Sequence, residues 1–356
     1  MSNPSIPAEY QRIALAARPV GAPKAGDFRL ESIPTPRPGP GQFLVRVGFL
    51  SLDPYQRGRM NDGPSYAAPV PLGGTMTGRT VGRIVESHHP GFPAGAVVFN
   101  EGIGWAQWGV SDGTDNARLI DPALAPVSTG LGVLGIPGLT AWVGLIEIGN
   151  PRPGETVVVS AATGAVGSLA CQLARMAGAR VIGIAGGPEK CAWARDAIGV
   201  DLAIDHRAGD LATALAAACP DGIDVYFENV GGKVIQAVLP LLNVGARMPI
   251  CGAIAHYNQD GPGADGAFAG PDMLGRLWMT FITRRVMAKG FVVGDHRALL
   301  PKFLATIGPL VRAGTIRHRE DVVDGIQAAI PAFQGLLEGR NFGKLLVRIG
   351  ADPAVA

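Results

Sequence analysis

The stretch VVVSAATGAVGSLACQLARMAGARVIGIAGGPEK, from Val157 to Lys190, limits the folds open to this chain more than any other. An apolar, β-branched run leads into a turn with glycines at 164 and 167. Val166, Leu169, Ala170, Leu173 and Ala177 then fall at i, i+3, i+4, i+7 and i+11, one apolar helical stripe, and Gly178 is placed to end it. A second strand-like run, RVIGIA, follows. Strand, glycine turn and helix in that order are the context in which such a turn holds a phosphate. The unpaired N–H groups of the first helical turn and the helix dipole together favour an anion. Gly164 lets the backbone approach that anion, and Gly167 lets the helix lie close on the strand.

Two features depart from the common pattern. Ala162 stands at the first glycine position, so the turn there must accept a Cβ. The second strand runs into Ala185, Gly186 and Gly187, without the acid that would hold a ribose 2′-hydroxyl. Lys190 follows at the start of a helix that Pro188 can open. A lysine there either neutralises a 2′-phosphate, which favours NADPH over NADH, or is an ordinary surface residue.

The chain has 356 residues, which fits about two domains. Residues 1–132 are rich in Gly and Pro and carry short strand-like runs such as FLVRVGFLSLD, TVGRIVES and AVVFNEG, the texture of an irregular β domain. Over 133–314 apolar runs alternate with helical patterns: TVVVS, ARVIGIA, DLAID, DVYFENV, ARMPICG and AKGFVVG. That βαβ order predicts an α/β fold with a doubly wound parallel sheet of Rossmann type. From 315 to 356 the text is strand-like again, ending in GKLLVRI, and is expected to complete the first domain.

The net charge of +2 gives no reason to expect nucleic acid as a partner, and no run of 18 apolar residues offers a membrane span. The four cysteines are isolated and read as reduced thiols, so the cytoplasm is the expected location. No cysteine precedes Cys171, and His88 and His89 lack a third ligand at close spacing, so no metal site is expected.

The turn sequence, with LSLDPYQRGRM, GIPGLTAW, DVYFENVGG, ICGAIAHYN, KGFVV and NFGKLLVRI in order along residues 49–349, resembles the medium-chain dehydrogenase/reductase superfamily. Within it the chain is similar to the zinc-independent leukotriene B4 12-hydroxydehydrogenase/prostaglandin reductase group, which includes alkenal and curcumin double-bond reductases. The resemblance implies a GroES-like β domain beside the Rossmann domain, and a homodimer formed by edge pairing of the last Rossmann strand near KGFVVG. It implies NADPH-dependent reduction of the double bond of an enone or enal, a small-molecule substrate. Gly164, Ala165, Val166 and Gly167 would line the pyrophosphate, beside Gly186, and Lys190 would meet the 2′-phosphate. Asn229 would lie by the nucleotide. Cys251, Gly252, Ala253, Ile254 and Tyr257 would border cofactor and substrate, Phe291, Val292 and Val293 would adjoin the nicotinamide, and Asn341 would reach the cofactor from the returning tail.

Two residues depart from the group. His206 stands where tyrosine is common, and would hold the 2′-phosphate as a protonated ring or as an N–H donor, with Arg207 beside it. Gly294 replaces a larger residue and would widen the substrate pocket or loosen the strand end. Tyr257 is the first catalytic candidate, as a donor to the substrate carbonyl oxygen; a pocket wall is its simpler role. Tyr55 is the second, as a neighbour of the substrate or a proton donor to its α-carbon; a structural ring is equally open. The stretch Asn258–Pro271 reads as a flap or a plain surface loop. Two rival functions remain at this level: a quinone oxidoreductase of the same superfamily, and an NADPH-binding protein without catalysis.

Overall fold

The computed structural model describes residues 5–63, 65–258 and 274–355. The Gly-rich part of the expected flap, 259–271, lies outside the described residues. The chain divides into two compact units, Met1–Gly135 with Glu320–Ala356, and Ile136–Arg319.

In the first unit β1 (Glu9–Leu15) and β2 (Phe28–Pro34) pair antiparallel. A larger sheet holds β3 (Phe43–Ser51), β4 (Thr80–Ser87), β5 (Val97–Asn100), β6 (Trp108–Ser111) and β7 (Arg118–Leu119), with the single-turn helix α1 (Tyr55–Gly58) after β3. Its core closes on Trp105, which stacks on Phe28 at 5.7 Å between ring centroids and meets the edge of Phe333 at 5.5 Å. Trp105 and Trp108 are both buried. Burial on this scale is worth roughly 1.5–3 kcal/mol for each large apolar side chain.

The second unit opens with α2 (Ile136–Trp142) and alternates from there: β8 (Thr156–Val159), α3 (Gly167–Met176), β9 (Arg180–Ala185), α4 (Pro188–Asp196), β10 (Leu202–Asp205), α5 (Leu211–Ala218), β11 (Ile223–Phe227), α6 (Gly232–Val238), β12 (Leu242–Ile250), α7 (Leu274–Arg284), β13 (Met287–Gly290) and α8 (Leu300–Arg312). The sheet is wholly parallel, in the order β10-β9-β8-β11-β12-β13. This is the doubly wound dinucleotide-binding order, with β8 at the switch point. Val157, Val158 and Val159 are all fully buried, as a strand covered on both faces requires. Helix starts are written locally: Gly187 takes φ 98° ahead of Pro188, and the Asp210 carboxylate accepts the N–H groups of Ala212 and Thr213.

The chain then returns to the first unit through β14 (Glu320–Asp324), α9 (Ala329–Leu337) and β15 (Lys344–Arg348), giving a sheet ordered β14-β15-β3-β4-β5-β7 with β6 on β3.

Two local expectations need correction. Val166 is not part of the buried stripe: it is half-buried at the N-cap of α3, while Leu169, Ala170 and Leu173 carry the buried face. The strand expected through Phe291–Val293 stops at Gly290. Its ladder with β12 ends at the pair Ile250–Gly290, and Cys251 gives its N–H to the Glu228 carbonyl, so residue 291 has no strand to pair with.

Candidate functional site

The turn after β8 answers why the first glycine can be absent. The left-handed residue is Ala161, at φ 49°, and not residue 162. Ala162 is fully buried, gives its N–H to the Ile184 carbonyl, and points its methyl at Gly183 of β9. A Cβ on Gly183 would lie 2.9 Å from the Ala162 Cβ, so the glycine needed for close approach has moved to the neighbouring strand. Gly164 gives its N–H to the Ala161 carbonyl and accepts from Ser168. A Cβ on Gly167 would collide with the Ala161 carbonyl, so only glycine can begin α3 against the strand end. No side chain caps α3 at Val166. The Ser168 N–H is taken by the Gly164 carbonyl; the rest of the helix start, with its dipole, favours an external anion.

At the end of β9, Gly186 faces two basic side chains. A Cβ there would come within 2.8 Å of His206 Nε2 and 2.9 Å of Arg207 Nε. Lys190, half-buried on the first turn of α4, acts on the His206 imidazole through its charge. One acid does lie close by, which the sequence did not disclose: Asp205 at the end of β10. Its Oδ1 accepts the N–H groups of Gly187 at 2.8 Å and Arg207 at 2.9 Å, and these bonds hold its carboxyl below the usual range. Through Oδ1 the carboxylate ties the ends of two strands together.

A second cluster lies beyond β11. Glu228 is buried, and its Oε1 accepts from Tyr226 Oη at 2.9 Å, Ser160 Oγ at 3.2 Å, Val230 N at 2.7 Å and Gly231 N at 2.9 Å. Asn229 gives its backbone N–H to Ser160 Oγ at 2.8 Å and its side-chain amide to the Ser160 carbonyl at 2.7 Å. Ser160 is the last residue before the phosphate-type turn, so Glu228 and Asn229 fix the floor of that turn from the neighbouring strand. The segment after β12 runs along the same loop: Cys251 and Gly252 give their N–H groups to the Glu228 carbonyl, Ile254 to that of Asn229, and Ala255 to that of Val230. His256 Nε2 accepts the Gly232 N–H at 3.1 Å at the start of α6, which places the proton of a neutral ring on Nδ1. Tyr257 folds back so that its phenol oxygen is 3.5 Å from the Ala253 nitrogen, with Gly252 beneath it. Of the predicted set, Gly164, Ala165, Val166, Gly167, Asn229 and Cys251–Tyr257 thus share one end of the sheet. Glu228, Ser160, His256 and Asp205 were missed as positioning groups. A carboxylate just before a glycine pair at the end of a buried strand was the available signal.

Phe291 packs on the end of this sheet: a Cβ on Gly144 would meet the Phe227 ring and then the Phe291 ring at 2.8 Å. Val292 and Val293 follow it, both half-buried. Gly294 has ordinary space around it, with Val292 Cγ1 3.8 Å from its virtual Cβ.

Two predicted residues belong to the first unit. Tyr55 opens α1, and the Arg79 guanidinium lies 4.7 Å from its ring centroid. Arg79 is held by Glu101 at 2.9 Å and stands 3.8 Å from Asp53, whose Oδ1 accepts from Lys344 Nζ at 2.7 Å. Burial pushes the Tyr55 phenol above its usual value, with Arg79 opposing, so it is a neutral donor at physiological pH. Asn341 donates its side-chain amide to the Gly343 carbonyl at 2.9 Å.

Among the described residues no three His, Cys, Asp or Glu side chains are grouped to hold a metal, and no helix is long and apolar enough to cross a membrane. Burial, with the Glu228 carboxylate, pushes the Cys251 thiol up to about 12.

Comparison with known proteins gives the lineage. Residues 11–119 match the N-terminal domain of oxidoreductase family and residues 165–304 match the zinc-binding dehydrogenase family. The NADPH-dependent curcumin reductase of Escherichia coli (strain K12) is 47% identical over 96% of this chain and 97% of its own length. The 2-alkenal reductase (NADP(+)-dependent) of Nicotiana tabacum is 37% identical over 93% and 95%. The structure of CurA from Vibrio vulnificus in complex with NADPH superposes with a TM-score of 0.89 at 46% identity, covering 96% of this chain and 99% of that one. With likeness of this depth along nearly its whole length, the chain belongs to the medium-chain dehydrogenase/reductase superfamily, in the group that contains the curcumin, 2-alkenal and prostaglandin reductases.

Proposed function

We propose that the protein is an NADPH-dependent reductase of the carbon–carbon double bond in α,β-unsaturated aldehydes and ketones, acting without a metal. The observation that carries the cofactor is the pair of features at the sheet's switch point. One is an uncapped helix start behind Gly164–Gly167; the other is a basic cradle of His206 and Arg207 over Gly186, with the Lys190 charge bearing on the imidazole. These residues fit a dinucleotide with a 2′-phosphate. The activity itself follows from the relatives' shared chemistry.

NADPH, held by the Gly164–Gly167 turn with Lys190, His206 and Arg207, would supply a hydride to the β-carbon of the substrate. The protein's part is orientation and electrostatics. The Ser160–Glu228–Asn229 cluster holds the turn, and Phe291, Val292 and Val293 form an apolar wall that excludes water. Tyr257 holds a proton for the carbonyl oxygen on which negative charge develops, and a donor placed there lowers the barrier. Tyr55 is the second donor, and Asn341 a further contact from the returning tail.

A second copy of the chain as partner is supported by β13, which is an edge strand, and by α7 beside it in sequence, where Trp278, Met279 and Ile282 are exposed. Pairing that edge would remove an aggregation hazard. Sedimentation would show a dimer that dissociates when Met287 is replaced by proline. The cytoplasm is the compartment that four unpaired cysteines suit.

The test of function is NADPH oxidation at 340 nm with trans-2-alkenals, an aryl enone and a benzoquinone, with NADH in parallel. Enone turnover preferring NADPH, with preference lost in Lys190→Ala, is expected. Turnover of quinone alone, or none despite NADPH binding, would overturn the reading.

A further inference from the structure

The backbone at the end of β9 makes room for two basic side chains from the segment after β10. His206 Nε2 and Arg207 Nε both lie within 2.9 Å of the position a Gly186 Cβ would occupy. They converge on the same point, and the charge of Lys190, on the first turn of α4, acts on the imidazole. The carboxylate that bears on the imidazole is that of Asp205, and its Oδ1 is engaged by the N–H groups of Gly187 and Arg207. His206 is thus set among two permanent cations and one carboxylate already bound to backbone. Of these groups the imidazole is the one whose charge changes near neutrality. In the free protein partial burial, and then Arg207, hold His206 below the ordinary histidine value; Asp205 opposes them and Lys190 adds to them. The ring is therefore neutral at pH 7. A phosphomonoester carrying nearly two negative charges in the same cradle would reverse that balance.

We propose that His206 is a specificity residue that takes up a proton when the 2′-phosphate binds, so that preference for NADP(H) over NAD(H) weakens as pH rises above neutrality. The proposal rests on the reading of the Gly186 cradle as the 2′-phosphate site. The direction follows from linkage. A group neutral in the free protein and protonated in the complex adds affinity that is complete below its free value, and that affinity is lost as pH rises through its value in the complex. The phosphate's own second ionisation, near pH 6, acts in the opposite sense: binding favours its deprotonated form and releases a proton. Net uptake near pH 7 therefore reports the imidazole.

Calorimetric titration of the full chain with NADP+ and with NAD+, in buffers of different ionisation enthalpy between pH 6 and 8.5, tests this. Wild type should take up a substantial fraction of a proton per NADP+ near pH 7, and none with NAD+. Its NADP+ affinity should fall about tenfold by pH 8.5, as it would if the imidazole holds its proton to a pH about one unit higher in the complex than in the free protein. His206→Gln should show neither uptake nor the fall. If wild type takes up no proton while His206→Gln and Arg207→Ala still weaken NADP+ and leave NAD+ alone, the proton-linked role is overturned and the phosphate site stands. If neither variant alters NADP+ affinity at any pH, the cradle is not the phosphate site and both readings fall.

Discussion

The methyl of Ala162 rests against the backbone of Gly183, and a Cβ at residue 183 would come within 2.9 Å of it. The nucleotide turn has exchanged the place of its space-making glycine, from the turn itself to the adjacent strand. Gly183→Ala should cost about 1–3 kcal/mol through overpacking. Most of that loss should return in the double variant Ala162→Gly/Gly183→Ala. Urea unfolding of the four chains measures the coupling, and simple additivity would show that the two positions do not share one space.

Glu228 is the acceptor on which the floor of the turn depends. Its Oε1 takes four donors, two of them backbone N–H groups of the loop before α6. Glu228→Ala would leave those donors buried without an acceptor, at a cost of about 1–3 kcal/mol for each one that stays unsatisfied. The variant should unfold earlier in urea. Where it folds, it should bind NADPH and NADH more weakly by the same factor, because the turn and not the 2′-phosphate cradle is disturbed. A loss confined to NADPH would contradict that assignment.

The parts of the fold written in short-range pattern were legible in the sequence. Six apolar runs spaced by helices gave the parallel sheet, and Gly178 and Pro188 marked helix ends that the structure places where expected. What was illegible depends on register between strands. Gly183 looks like an ordinary strand glycine until β9 is laid beside the turn. Asp205 lies 18 residues from Gly187 in sequence, yet it accepts that residue's N–H across the strand ends. Phe291–Val293 reads as strand by composition, and only the end of the β12 ladder shows why it is not. The candidate site divides in the same way: its glycines and Lys190 were visible, whereas His256 and Ser160 act through partners distant in sequence, and Glu228 joins its own loop to Ser160, 68 residues away.

Tyr257 and Tyr55 are separable by experiment. Tyr257→Phe keeps the ring over Gly252 and removes the hydroxyl, with its long contact to the Ala253 N–H, so kcat for an enone should fall on the order of 100-fold, with the Kd for NADPH unchanged. Tyr55→Phe keeps the ring under Arg79. If Tyr55 supplies the α-carbon proton, kcat should fall and exchange of solvent deuterium into the product's α-position should slow. If kcat holds, its ring serves the Arg79 contact alone. Unchanged kcat in Tyr257→Phe would return that residue to the pocket wall.

Asp53 and Lys344 form a buried ion pair where β15 returns to the end of β3. Burial alone would raise the Asp53 carboxyl. The Lys344 ammonium and Arg79, with hydrogen bonds from Lys344 and Ser51, outweigh it and hold the group below its ordinary value. A carboxyl depressed in the folded state contributes stability that is present above its unfolded value, about 3.9, and is lost as pH falls through the folded one. Acid should therefore weaken the first unit below about pH 4. Asp53→Asn should flatten that part of the stability curve while lowering stability at pH 7, since it leaves Lys344 buried without its counter-charge. Lys344→Met in the same chain should recover much of the loss at pH 7. Thermal unfolding of the three chains between pH 2.5 and 7 decides it: an acid limb as steep in Asp53→Asn as in the wild type would mean that other carboxylates carry the transition.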